Sequence, residues 1–113
     1  MAIPHAKSGD VVSIGAPLGA GQAIDDLQPG TLIRDEHMEV FRLVLQPGTR
    51  MQDHQASGVL TIQCLHGSVQ MTAHGRTQTM VPGSLMHLRD GETHAVATDE
   101  LSVLLLTLFL RRV

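Results

Sequence analysis

The sequence predicts an all-β fold, a sandwich or barrel of short strands preceded by an N-terminal arm. Apolar and polar residues alternate with a period of two from Glu39 onward, and glycine-containing turns separate the alternating segments about every eight to twelve residues. No longer stretch has a helical period. The 113 residues are enough for one ordinary domain, which excludes two independent folding units.

The first 30 residues differ from the rest because glycine and proline interrupt them repeatedly, which prevents a long helix or strand. We expect residues 1–30 to form an arm that lies outside the barrel or pairs at its edge through one short strand. Residues 31–113 are expected to form a single barrel domain. The Gly-Ala-Gly at 19–21 lacks the third glycine, the preceding strand and the following helix of a dinucleotide-binding loop.

Seven strands are predicted after the arm, at residues 40–45, 59–65, 69–73, 77–81, 85–88, 94–97 and 102–110. The last one is apolar at successive positions, so both of its faces require burial. One face can line the barrel, and the other needs the second sheet, the arm or a partner chain. An exposed strand edge is often covered by pairing across a two-fold axis, so we expect a homodimer.

Composition excludes several classes of partner. The formal net charge is −3, and Phe41 and Phe109 are the only aromatic residues, so nucleic acid is not an expected partner. Cys64 is the single cysteine, which excludes a disulfide framework and predicts a cytoplasmic location. The longest apolar run, at 101–110, is about half of a membrane span, and no signal-peptide core is evident, so no membrane partner is expected.

Two of the seven histidines stand out. His54 and His94 each follow a glycine-bearing turn, at what is predicted to be the start of a strand. The glycines and histidines around them resemble the two motifs of the cupin family, RmlC-like jelly-roll barrels, over about residues 39–110. The matching residues are Gly48, His54 and Gly67 in the first motif, and Gly83, Gly91 and His94 in the second, with Pro47 and Pro82 before the motif glycines. The other histidines, at 5, 37, 66, 74 and 87, match neither motif, and those at 5, 37, 66 and 74 are predicted to be solvated turn residues.

The resemblance implies that His54 and His94 share one pocket, because cupins carry the two motifs on neighbouring strands. It also implies a metal held by three histidines and one glutamate, but Ala56 and Leu60 occupy two of those four positions. Only His54 and His94 remain as metal ligands. We therefore expect a divalent metal (zinc, iron, manganese or nickel) to bind weakly or not at all. Gln52, Asp53, Gln63 and His87 are the candidate replacement donors, and Arg89 and Thr98 replace the second motif's proline and asparagine.

Strand alternation predicts the lining of the pocket. If Leu60 points inward, Ile62 and Cys64 also point inward, and Thr61 and Gln63 point outward. The alternative for Cys64 is inert core packing. The predicted ligand pocket comprises His54, His94, Ala56, Leu60, Ile62, Cys64, Met71 and Met86, and Met51 and Met80 are further candidates.

Three functions are compatible with this pocket. The incomplete ligand set favours a binding module that holds a small organic molecule in the barrel. A metal-dependent dioxygenase, isomerase or lyase that uses His54 and His94 is the alternative, with metal-free acid–base catalysis by the two histidines as a variant. An accessory or structural protein with a vestigial pocket is the third. The sequence identifies neither the ligand nor a reaction.

Overall fold

The computed structural model describes residues 5–12, 14 and 29–110, and its regular structure in these ranges is entirely β. The strands are β1 Gly30–Arg34, β2 Met38–Leu45, β3 Arg50–His54, β4 Gly58–His66, β5 Val69–Ala73, β6 Arg76–Met80, β7 Leu85–Leu88, β8 His94–Ala97 and β9 Ser102–Leu110. The prediction of an all-β fold is confirmed. Within the described ranges there is no helix of the length and hydropathy that a membrane span requires.

The strands form two antiparallel sheets. The five-stranded sheet has the order β1-β2-β9-β4-β7, and the four-stranded sheet has the order β3-β8-β5-β6. Both sheets contribute side chains to one apolar core, which is typical of a β-sandwich or jelly roll. The buried members of this core are Leu45, Leu60, Ile62, Cys64, Val69, Met71, Ala73, Met80, Leu88, Val96, Leu104 and Leu106.

Strand β4 follows the predicted alternation. Leu60, Ile62 and Cys64 are buried, whereas Thr61 and Gln63 are only partly buried. The strand begins at Gly58, whose φ is 144° and where a Cβ would collide with the carbonyl oxygen of Phe109 in β9. Glycine is therefore needed for β4 to lie against β9 at this point.

Strand β9 lies in the middle of the five-stranded sheet, paired with β2 on one side and β4 on the other. This central position explains its run of apolar residues. Val103 and Leu104 are adjacent and therefore face opposite sides of the sheet, yet both are almost completely buried. The expectation that both faces of this segment need cover is confirmed at these two positions, although the strand has no open edge.

Strands β1 and β3 were not predicted from the sequence. Strand β3 has the sequence Arg-Met-Gln-Asp-His, in which only Met51 is apolar, and most of the strand is exposed. The prediction that His54 begins a strand is wrong. The turn at Gly48 leads directly into β3 at Arg50, and His54 is the last residue of that strand.

The predicted arm is described only in part. Ala6 forms an isolated parallel bridge with Ile33 of β1, and its amide donates to the carbonyl of Leu32 at 2.8 Å. Residues 1–4, 13 and 15–28 of the arm, which include the Gly-Ala-Gly at 19–21, lie outside the described residues, as do residues 111–113 of the predicted barrel domain. The first barrel strand begins at Gly30, one residue before the predicted boundary.

Candidate functional site

His54 and His94 lie side by side at one end of the barrel. They are partners in the antiparallel pairing of β3 with β8, so their side chains leave the sheet on the same face. The ring centroids are 4.1 Å apart and the ring planes meet at 61°, an edge-on arrangement. His94 is only 4% exposed, whereas His54 is exposed. The pair therefore spans from the core to the surface, and we call this position the barrel mouth.

A β-bulge in β3 brings His54 into this position. Met51 pairs with Val96 and His54 pairs with His94, so β3 has one more residue than β8 between the two pairs. In regular antiparallel pairing Asp53 would lie opposite His94, and His54 would face the other side of the sheet. Bulges commonly redirect one side chain beside a functional site. Here the bulge exchanges a carboxylate for an imidazole next to His94.

Backbone carbonyls hold both rings in the same way. Nδ1–H of His54 donates to the carbonyl of Gln52 at 3.1 Å, and Nδ1–H of His94 donates to the carbonyl of Glu92 at 3.3 Å. A carbonyl oxygen only accepts, so each Nδ1 carries the proton. In a neutral ring Nε2 then has a free lone pair. An imidazole whose Nδ1–H is held by a hydrogen bond commonly binds a metal through Nε2. Among the described residues neither Nε2 has a hydrogen-bond partner.

The environment of His94 favours its neutral form. Burial lowers the pKa of His94 below the ordinary 6.5, the hydrogen bond to the carbonyl of Glu92 acts in the opposite direction, and the neighbouring His54 lowers it further. A neutral imidazole is the form that binds metal. Burial raises the pKa of the Cys64 thiol, which keeps that group protonated and unreactive.

No third strong donor joins the two histidines within the described ranges, where no cluster of three His, Cys, Asp or Glu side chains is found. Gln52 and Asp53 are exposed on the bulge. His87 pairs with Thr61, and this pair lies on the outward face of the five-stranded sheet together with Gln63. The replacement donors considered from the sequence therefore do not complete the metal shell.

A cavity of about 20 Å³ lies against the two histidines. Of the predicted pocket residues, His54, His94, Ile62 and Met71 line it, while Leu60 and Cys64 are buried elsewhere in the core and Ala56 and Met86 pack against that core. The other lining residues are Leu43, Met51, Val96, Leu104 and Leu106, of which the sequence suggested only Met51. The cavity has room for about one water, far below the 300–1,000 Å³ typical of an organic ligand.

His74 has a partner that the sequence did not suggest. Its Nε2 contacts the Oε2 atom of Glu92, so the interpretation of His74 as a solvated turn residue is incomplete. His74 lies in the hairpin turn between β5 and β6, and Glu92 lies two residues before His94. A contact between two turns that are distant in sequence has no local sequence signal.

Comparisons with known proteins identify solved structures that share this fold. The sequence matches no protein-family model and no curated protein. Among solved structures, the fold is similar to the SPY1581 protein of unknown function from Streptococcus pyogenes, with a TM-score of 0.73, 18% identity and coverage of 100% of this chain and 97% of that chain. It is also similar to a cupin superfamily protein, DSY2733, from Desulfitobacterium hafniense, with a TM-score of 0.70, 14% identity and coverage of 74% and 77%.

Some structures with this fold are enzymes. A variant of salicylate 1,2-dioxygenase from Pseudoaminobacter salicylatoxidans matches with a TM-score of 0.62 and 14% identity, over 65% of this chain and 21% of that one. Likeness at these identities shows the fold and leaves the activity open. The predicted resemblance is confirmed at the level of the fold: the chain is a small cupin-like domain with a jelly-roll barrel.

Proposed function

We propose that this domain binds a divalent transition-metal ion weakly at the barrel mouth, through Nε2 of His54 and Nε2 of His94. One observation carries the proposal: the two rings are adjacent, and each has its Nδ1–H bonded to a backbone carbonyl two residues earlier. This arrangement fixes the tautomer that leaves both Nε2 atoms free for a metal.

The donor set fits a metal only in part. Two neutral imidazoles suit zinc, iron or nickel, and manganese is the weaker candidate because it prefers oxygen donors. Closed zinc sites use four protein ligands and catalytic zinc sites use three, so a two-histidine site is weak and leaves several positions open. A metal bound here would act as a Lewis acid on oxygen atoms of a ligand.

We propose that the small organic ligand binds outside the cavity. A space of about 20 Å³ does not enclose an organic molecule, so the ligand would bind at the exposed mouth, beside His54. A small ligand with carboxylate or hydroxyl oxygens fits this position, because such oxygens would fill the open metal positions. Met51, which is partly buried and lines the cavity, would provide the apolar contact on its inner side.

A binding role is favoured over catalysis. Among the described residues no carboxylate contacts either imidazole of the pair, and Glu92 supports His94 through its main-chain carbonyl rather than its side chain. Catalysis remains the second candidate, because the structural neighbours include salicylate 1,2-dioxygenase. Acid–base catalysis without metal has less support, since in the described part of the chain neither ring contacts a carboxylate that would stabilise its charged form.

Calorimetric titration of metal-stripped protein with Zn²⁺, Ni²⁺, Fe²⁺ and Mn²⁺ tests the proposal. We expect one ion per chain, and His54→Gln or His94→Gln should weaken binding at least about 10-fold, or about 1.4 kcal/mol. His87→Gln is the matched control, because that histidine lies on the outward face of β7. Binding that survives loss of both His54 and His94 would reject the site.

We also propose that the domain is a cytoplasmic homodimer. Phe109 of β9 pairs with Val59 of β4 on the outer face of the five-stranded sheet, and these side chains are 48% and 37% exposed. A second copy that covers this face would remove apolar surface from water. Sedimentation equilibrium should give a dimer mass that Phe109→Ser reduces to that of one chain. A monomer at micromolar concentration would contradict the proposal.

A further inference from the structure

Three turns lie close together at the barrel mouth, and two of them adjoin His54 or His94. The segment 89–93 between β7 and β8 precedes His94, and the segment 55–57 between β3 and β4 follows His54. The amide of Gly91 donates to the carbonyl of Ala56 at 3.1 Å, and the amide of Gly58 donates to Oδ1 of Asp90 at 2.9 Å. The third turn, His74-Gly75, joins β5 to β6.

Glu92 connects two of these turns, the segment 89–93 and His74-Gly75, to the His94 ring. Its Oε1 accepts the amide of Arg89 at 2.7 Å, which closes the turn 89–92, and its Oε2 contacts Nε2 of His74. Its main-chain carbonyl accepts Nδ1–H of His94. The Glu92 side chain is only 20% exposed, so it is held in place rather than free in solvent. Moving this side chain would therefore move the carbonyl that orients the His94 ring.

The backbone at His74 is unfavourable for histidine. Its φ is 54°, and no other described residue apart from glycine has a positive φ. Gly75, which follows, has a φ of 70°, so two consecutive residues occupy the left-handed region, as in a type I′ hairpin turn. Asparagine before glycine is the preferred pair for such a turn. Because the His74 side chain is 65% exposed, core packing does not account for its presence there, and its contact is with Glu92.

We infer that His74 is a positioning residue for the two-histidine site: its imidazole holds Glu92, and Glu92 holds the turn that orients His94. The inference rests on the proposed function, since the ring that is positioned belongs to one of the two proposed ligands. It also explains why a strained turn position has a histidine instead of the asparagine that the turn prefers.

His74→Asn separates positioning from turn stability. Asparagine suits the left-handed turn and removes the imidazole that contacts Glu92. We expect Zn²⁺ affinity to fall about 10-fold, the lower end of the range for residues that orient metal-binding histidines. The midpoint of denaturant unfolding of the metal-free protein should stay the same or rise. The matched control is His66→Asn, since His66 also precedes a glycine but ends β4 at the opposite end from Gly58.

The second readout does not need metal. Imidazole ¹H–¹⁵N spectra of the metal-free protein should show that His74→Asn weakens or broadens the Nδ1–H signal of His94, while His66→Asn leaves it unchanged. In a double-mutant cycle of His74→Asn with Glu92→Gln, the changes in the His94 Nδ1–H signal should be non-additive, because both substitutions alter the same contact.

The outcomes distinguish the two proposals. If wild-type protein binds no Zn²⁺, the proposed function fails, and the His94 spectrum of the metal-free variants alone decides the inference about His74. The inference is overturned if His74→Asn leaves the His94 signal and any Zn²⁺ affinity unchanged. It is also overturned if His66→Asn has the same effects, or if affinity falls together with the unfolding midpoint.

Discussion

Strand β3 ends and strand β4 begins at the barrel mouth, but the two strands differ in regularity and in burial. Strand β4 alternates regularly, and its inward residues Leu60, Ile62 and Cys64 are all buried. Strand β3 is polar, largely exposed and interrupted by a bulge between Met51 and His54. The regular strand supplies the core, and the irregular strand supplies the candidate ligand. The side chain proposed as a metal ligand therefore comes from the point where the alternation of β3 is interrupted.

The largest effect should come from the regular strand. Ile62→Ala removes a side chain that is 1% exposed and should lower the free energy of unfolding by about 2–5 kcal/mol. Thr61→Ala on the other face is the control and should cost less than about 1 kcal/mol. Chemical denaturation measures both. Equal losses would show that β4 does not alternate between core and surface as described.

A third imidazole should strengthen the site. Ala56 stands two residues after His54 at the mouth, so Ala56→His offers another nitrogen donor to a bound ion. We expect Zn²⁺ affinity to rise about 10- to 100-fold, because three protein ligands are typical of functional zinc sites. Ala56→Gln is the control for added bulk. Leu60→Glu is a poorer test, since Leu60 is 3% exposed and a carboxylate there would be buried in the core. An unchanged Zn²⁺ affinity would mean that a histidine side chain at position 56 does not reach an ion bound by His54 and His94.

Substitutions of His54 and Asp53 distinguish bulged from regular pairing of β3 with β8. With the bulge, His54→Ala should weaken Zn²⁺ binding at least about 10-fold, whereas Asp53→Ala should change it less than about 3-fold, since Asp53 is exposed. Regular pairing would reverse this order, because Asp53 would then lie opposite His94. Calorimetric titration of the two variants decides which register the protein adopts in solution.

The smallest effect concerns pH. The pKa of His94 is lowered in the folded state, so the unfolded chain binds more protons between that lowered value and about 6.5. Stability of the metal-free protein is therefore complete above about pH 6.5 and decreases as the pH falls through this window. His94→Gln should remove this part of the pH dependence, as measured by denaturant unfolding at a series of pH values. A wild-type protein that gains stability over the same fall in pH would contradict the assigned direction.

The sequence was sufficient for the regular parts of the molecule. Alternation and glycine turns located seven of the strands and the inward face of β4, and the cupin-like spacing brought His54 and His94 together across 40 positions. Strand β3 was missed because Arg-Met-Gln-Asp-His has no apolar alternation. The bulge, the cavity of about 20 Å³ and the contact of His74 with Glu92 depend on how separate turns pack, which no local pattern encodes.

The central claim is that His54 and His94 offer unprotonated Nε2 atoms to one shared ion. Imidazole ¹H–¹⁵N spectra at pH 7.5, recorded before and after addition of Zn²⁺, test it most directly. Before metal, both rings should be the Nδ1–H tautomer, as their bonds to the carbonyls of Gln52 and Glu92 require. Zn²⁺ should then shift the Nε2 signals of these two histidines together and leave those of His66 and His87 in place. An Nε2–H tautomer in either ring, or Zn²⁺ shifts centred on other histidines, would contradict the account.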